Sequence, residues 1–188
     1  LWTGFQPVNA TAEGDSGDDT RPALAADGAG TAVAVWESTE SSLMDQPIGP
    51  DADILAAVSN DYGLTWSTPW ILSADGADDG LDERKPAVAG DGKGNWVAVW
   101  ESASPADGAG NDIDIRAARS TDNGLTWSET GWVNRHAGED ATDDRSPAIA
   151  TDGFGAWICL WTAAGGADGA GPDIDVVYAL SFDNGASW

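Results

Sequence analysis

Three times along the chain a short apolar run, a Gly-containing turn and a second apolar run follow one another. They are RPALAADGAGTAVAVWES (21–38), KPAVAGDGKGNWVAVWES (85–102) and SPAIATDGFGAWICLWTA (146–163). The turns, Asp27-Gly28, Asp91-Gly92 and Asp152-Gly153, supply the positive φ that a hairpin needs, so each segment predicts two antiparallel strands. In the second run Trp96, Ala98 and Trp100 share one face while Val97 and Val99 share the other. A strand apolar on both faces is expected to be covered on both, as in stacked sheets. Third strands are predicted at 51–59, 112–120 and 173–181, and a fourth in LTWSTPWILS and LTWSETGWVN. Helical periodicity is absent. Four short strands per unit, joined by hairpins, predict an all-β chain of propeller blades.

The units are in strict register. Asp61, Asp122 and Asp183 are spaced by 61 residues, and Trp2, Trp66 and Trp127 each lie 20 residues before Pro22, Pro86 and Pro147. The opening segment therefore reads as the fourth strand of a split blade whose first three strands are the last ones in the chain. The expected organisation is a single repeat unit, 1–188. Within it 1–20 is a fourth strand and loop, 21–73 and 84–134 are blades, and 145–188 supplies the first three strands of the split blade. Three blade equivalents fall short of the ~4–8 that close a ring. Half of a six-bladed ring is expected, completed by a second copy of this chain through strand exchange, or by the further blades of a longer chain from which this one was excised.

Composition narrows the partners. Thirty-two acidic residues against eight Lys and Arg give a formal charge of −24, which repels nucleic acid and anionic membranes. No apolar run approaches a membrane span. The acidity is compatible with a halophile-like solvated coat and with calcium held by carboxylates. Cys159 stands alone where the other units carry Ala34 and Ala98, so it reads as a buried, inert thiol.

SNDYGLTW (59–66), STDNGLTW (120–127) and SFDNGASW (181–188) resemble the Asp-box, or BNR, repeats of the sialidase superfamily. The matching residues are Ser59, Asp61, Gly63, Thr65 and Trp66; Ser120, Asp122, Gly124, Thr126 and Trp127; and Ser181, Asp183, Gly185, Ser187 and Trp188. The carboxylate can accept N–H groups of its own turn, the glycine permits a left-handed backbone, and the indole packs between sheets. The resemblance implies a propeller with these boxes on its rim, remote from any active site. It also implies that a sialidase in this family would need an arginine triad, a Tyr nucleophile with a Glu partner, and an Asp acid/base.

Arg21, Arg84 and Arg145, at the entrances of the first strands, are the candidate anion clamp. Their alternative partners are the acids just before them: Asp18 and Asp19, Asp82 and Glu83, Asp143 and Asp144. Tyr62 lies within a box, Tyr178 reads as a core residue, and His136 reads as solvent-facing. The recurring pairs Asp51 and Asp53, Asp112 and Asp114, and Asp173 and Asp175, with Asp107 and Asp168 in the preceding loops, are candidate calcium ligands. Near-identical repeats without a symmetry-breaking catalytic set favour a secreted or surface binding and assembly scaffold. A sialidase-like glycoside hydrolase and a self-assembling propeller closed by strand exchange are the alternatives, with carbohydrate as the candidate ligand.

Overall fold

A computed structural model describes residues 4–9, 13–14, 17–40, 42–43, 46–49, 51–73, 80–105, 109–128, 130–139, 141–165 and 172–188. All regular structure in it is β. The first blade holds β1 (Asp19–Ala26), β2 (Ala32–Ser38), β5 (Asp53–Ser59) and β6 (Trp70–Ile71), hydrogen-bonded in that order. A two-residue ladder, β3 (Ser42–Leu43) with β4 (Gln46–Pro47), interrupts it. The second blade holds β7 (Glu83–Gly90), β8 (Trp96–Ser102), β9 (Asp114–Ser120) and β10 (Gly131–Trp132). The third holds β11 (Asp144–Thr151), β12 (Trp157–Ala163) and β13 (Asp175–Ser181), with no fourth strand among the described residues. All strand pairs are antiparallel, and β1, β7 and β11 lie beside one another along the inner edge.

The hairpin turns form for a stated local reason. Asp27 Oδ1 accepts the N–H groups of Ala29 (2.7 Å) and Thr31 (2.9 Å), and Gly28 takes φ +74°. Asp91 and Asp152 repeat this arrangement with their own turns. The fourth strands are much shorter than the apolar runs suggest. Pro69 has no N–H to give the ladder, and serine hydroxyls stand in beside it. Ser67 Oγ accepts from Val58 N–H at 3.0 Å and Ser73 Oγ from Ile54 N–H at 3.2 Å. Residues 4–9 form no strand, and Val8 packs instead against Trp36 and its neighbours in the first blade. Trp2, expected to lead an N-terminal strand, lies outside the described residues.

Blades stack through alternating faces. One face of the first blade (Val33, Val35, Ile54, Ala56, Val58) meets Trp96, Ala98 and Trp100 of the second in one cluster. The opposite face of the second blade (Val97, Val99, Ile115, Ala117) meets Trp157, Cys159 and Trp161 of the third. The burial of β8 on both faces follows the sequence expectation, whereas β12 departs from it: Leu160, on the face away from the second blade, is exposed. Tyr178 departs likewise. Expected in the core, it is 63% exposed, because among the described residues no further blade covers the face it occupies.

Candidate functional site

The first strands carry a recurring irregularity. Register slips between Thr20 and Ala23, between Arg84 and Ala87, and between Arg145 and Ala148. At each bulge the residue before proline is left-handed: Arg21 at φ +49°, Lys85 at +51° and Ser146 at +58°. Residues before proline ordinarily stay extended, so this is stored strain, and it has a visible compensation. The bulge turns the Lys85 N–H onto Glu37 Oε1 of the preceding blade and the Ser146 N–H onto Glu101 Oε1. Both glutamates are buried, 2% exposed each.

The basic side chains gather on the same two carboxylates. Arg21 reaches Glu37 at 3.0 Å and Arg84 reaches it at 3.6 Å; Lys85 reaches Glu101 at 2.9 Å and Arg145 at 3.6 Å. Arg84 is also bound to Asp82 at 2.6 Å, and Arg145 to Asp143 at 2.8 Å. Burial raises the Asp82 carboxyl, but the Arg84 hydrogen bond, the Ala52 N–H and the guanidinium charge outweigh it and leave it below the usual range. Asp143 is balanced the same way by burial, Arg145 and the Ile113 N–H, and is also lowered. In the third blade Ser146 and Thr162 replace the base and the acid together, and Thr162 Oγ1 donates to the Arg145 carbonyl. The charges are lost as a pair.

At the ends of the blades, where residues of all three meet, this lattice opens into a cleft of about 500 Å³ lined by Asp51, Asp82, Arg84, Glu101, Ile113 and Arg145. The two arginine side chains are 42% and 43% exposed, so each keeps N–H donors toward solvent while paired. Guanidinium donors and carboxylate acceptors share its walls with Leu81, Ala103 and Ile113. Such a lining suits a ligand rich in hydroxyl groups better than a lone anion.

At the rim, the three boxes have one geometry. Asp61 Oδ1 accepts the Thr65 N–H at 2.8 Å, Asp61 Oδ2 accepts the Thr65 hydroxyl at 2.6 Å, and Ser59 Oγ accepts the Gly63 N–H at 2.9 Å. The second and third boxes repeat these bonds through Asp122 and Asp183. The residue before each glycine, Tyr62, Asn123 or Asn184, is left-handed too. The Ser187 hydroxyl, then the Ser181 hydroxyl and the Ser187 N–H, hold the Asp183 carboxyl down at about 2.

A BNR/Asp-box repeat model matches residues 118–129, and no curated protein sequence matches significantly. Solved structures do. A Hadza microbial sialidase aligns over 90% of this chain and 36% of its own, with TM-score 0.60 and 20% identity. A Penicillium chrysogenum alpha-L-arabinanase complexed with arabinobiose aligns over 88% of this chain and 46% of its own, with TM-score 0.56 and 20% identity. A leech intramolecular trans-sialidase aligns over 100% and 45%, with TM-score 0.63 and 10% identity. The chain shares a β-propeller-like fold with these proteins and carries an Asp-box repeat. It spans between about a third and a half of the length of these relatives in fold.

Within this Asp-box propeller Arg84 and Arg145 line one cleft, whereas Arg21 joins the lattice one blade away, on Glu37. Arg21 pairs with Glu37 rather than with Asp18 or Asp19 of its own strand entrance. Neither tyrosine lines the cleft. Tyr62 stands at the rim, its ring over Gly30, and Tyr178 is on the outer face of the third blade. Cys159 is fully buried, and burial pushes its thiol up to about 12, which removes it as a nucleophile. His136 contacts Glu139 at 3.0 Å on the surface.

The aspartate pairs are divided by the fold. Asp53 and Asp114 are buried and accept from Ser73 Oγ (3.2 Å) and Asn134 Nδ2, so they hold the fourth strand. Asp51 and Asp112 sit before the strands with both carboxylate oxygens buried. Asp173 is exposed and Asp175 half-buried. Asp107 and Asp168 lie outside the described residues. Among the described residues no three His, Cys, Asp or Glu side chains converge in a way that could hold a metal ion. No helix among them is long and apolar enough to cross a membrane.

The inter-blade glutamates escaped the sequence reading. Their signal is a carboxylate at the end of an otherwise apolar strand, VAVWES in both the first and second units, with threonine in its place only where the preceding basic residue has become serine.

Proposed function

We propose that this Asp-box propeller recognises carbohydrate in the cleft lined by Asp51, Arg84, Glu101 and Arg145, outside the cell. The observation that carries the reading is the pair of half-exposed guanidiniums, Arg84 and Arg145, set around Glu101 at the inner ends of adjacent blades. Sialidase and arabinanase relatives in fold, one of them bound to arabinobiose, support a sugar as the ligand class. Charge separates the sugars. Every cleft arginine is already matched by carboxylates, and a chain of −24 repels an anionic glycan at low salt, so neutral oligosaccharides bind in preference to sialosides. No tyrosine lines the cleft, so these residues bind without supplying a full sialidase set, and hydrolysis requires groups beyond them.

Calorimetric titration with arabino-oligosaccharides and with sialyllactose tests this. Binding of the neutral sugar, weakened about tenfold or more by Arg145→Ala through loss of a charge-assisted hydrogen bond, is the expected result. Absence of binding to either glycan ends the proposal. Turnover of a fluorogenic sialoside would replace it with the hydrolase reading. A scaffold role is the second reading, favoured by the repetition of the Arg–Glu lattice from blade to blade.

A further inference from the structure

Each cleft arginine has an aspartate two residues before it, in Asp82-Glu83-Arg84 and Asp143-Asp144-Arg145. Residues i and i+2 of an extended chain face the same way, so this spacing sets a carboxylate beside a guanidinium. At the corresponding positions of the first unit the chain reads Asp18-Asp19-Thr20, without the arginine. Of the three first strands, the pair is found on the two whose arginines line the cleft.

Each of these aspartates divides its oxygens between two blades. Asp82 Oδ2 accepts the Arg84 Nε–H at 3.2 Å and an Nη2–H at 2.6 Å. Asp82 Oδ1 accepts the Ala52 N–H at 3.0 Å, just before β5 of the first blade. Asp143 Oδ2 accepts an Arg145 Nη2–H at 2.8 Å, and its Oδ1 accepts the Ile113 N–H at 3.1 Å, just before β9 of the second blade. Beside them the Glu83 N–H donates to the Ala52 carbonyl and the Asp144 N–H to the Ile113 carbonyl. The carboxylates are therefore anchored on the backbone of the preceding blade. A long arginine side chain loses much rotamer freedom when a ligand orders it, and that loss subtracts from affinity. A guanidinium already held needs no such ordering. With their side chains 42% and 43% exposed, both arginines still present donors to a ligand.

We propose that Asp82 and Asp143 are positioning residues for the cleft. Each registers the arginine of its own blade against the backbone of the blade before it. Packing between blades then sets where the two guanidiniums stand, and a ligand meets them at preset places. The aspartates act through the arginines, and their effect on binding rests on the reading of the cleft as a carbohydrate site.

A double-mutant cycle in arabino-oligosaccharide binding tests this on the full chain. Asp143→Asn keeps an acceptor for the Ile113 N–H and removes the charge that holds the guanidinium. It is expected to weaken binding about three- to tenfold, the effect of having to order one long side chain. In an Arg145→Ala background the same change has no further effect, whereas a general loss of structure would add to it. Asp82→Asn behaves alike with Arg84→Ala, and Asp18→Asn leaves affinity unchanged. Asp143→Glu, which returns a carboxylate, recovers part of the loss. Nitrogen NMR of the arginine side chains reads the positioning without sugar. Arg84 and Arg145 are expected to give dispersed, slowly exchanging N–H signals, each averaged only in its own Asn variant. Averaged signals in wild type, or additive losses in the cycle, overturn the proposal. Wild type that binds no glycan while its arginines remain held ends the carbohydrate reading and supports the positioning.

Discussion

The second and third blades are nearly the same sequence in different surroundings. Trp96, Val97, Ala98, Val99 and Trp100 of β8 are all buried, between blades one and three. Trp157, Cys159 and Trp161 of β12 are buried too, but Leu160 between them faces outward. Backbone pairing of the two strands is equivalent. The difference teaches that the ladder and the turns make the blade, and the neighbour makes the core.

The widest gap between them is expected at β8. Trp100→Ala is expected to cost about 3–5 kcal/mol, whereas Leu160→Ala stays within about 0.5 kcal/mol of wild type. Urea denaturation reads both, and equal losses would mean that the outer face of the third blade is covered in solution.

A smaller effect separates the boxes. A methyl added at Gly124 would meet Val33 Cγ2 at 2.9 Å and one at Gly185 would meet Val97 Cγ2 at 2.7 Å, whereas at Gly63 the nearest atom is Trp66 Cζ2 at 4.0 Å. All three glycines have φ near +80°, so each alanine variant carries the left-handed cost. Gly124→Ala and Gly185→Ala add an inter-blade clash, and are expected to lose about 1 kcal/mol more than Gly63→Ala in the same denaturation experiment. Three equal values would show that the boxes do not touch the neighbouring blade.

The smallest expected difference is none at all. The Asp61, Asp122 and Asp183 carboxyls are held below the ordinary 3.8 by hydroxyl and N–H donors of their own boxes, Asp183 at about 2. A carboxyl lowered in the folded state contributes stability above its unfolded value and loses it as pH falls through its folded value. That contribution therefore declines for Asp183 between pH 3.8 and about 2. Carboxyl-carbon NMR titration should show all three low together. A box that titrates normally in one blade alone would show that neighbours, not local donors, set the value.

Hairpins, register and boxes were legible because each is encoded within a few residues: an Asp-Gly turn, a period of two, a carboxylate four residues before its hydroxyl partner. What was hidden depends on distant chain. Glu37 and Glu101 read as strand ends until the bulge of the next blade brings an N–H onto each. The left-handed Lys85 and Ser146 oppose the local rule for residues before proline, and that inter-blade bond accounts for them, whereas Arg21, left-handed too, places its guanidinium on Glu37 of its own blade. Tyr178 read as core because its counterparts Ala56 and Ala117 are core, and a sequence pattern within one unit does not say whether another sheet covers that position. Ser67 and Ser73 gave no sign that hydroxyls would replace a ladder interrupted at Pro69.

The corner built on Asp61, and copied at Asp122 and Asp183, draws its serine, aspartate and threonine bonds from within seven consecutive residues. A loop so self-contained can organise on the timescale of local chain closure, ahead of the slower meeting of distant strands. Tandem duplication of such a segment delivers a pre-formed vertex along with each new sheet. Lineages carrying it can thus lengthen or shorten the array without having to reinvent the bend.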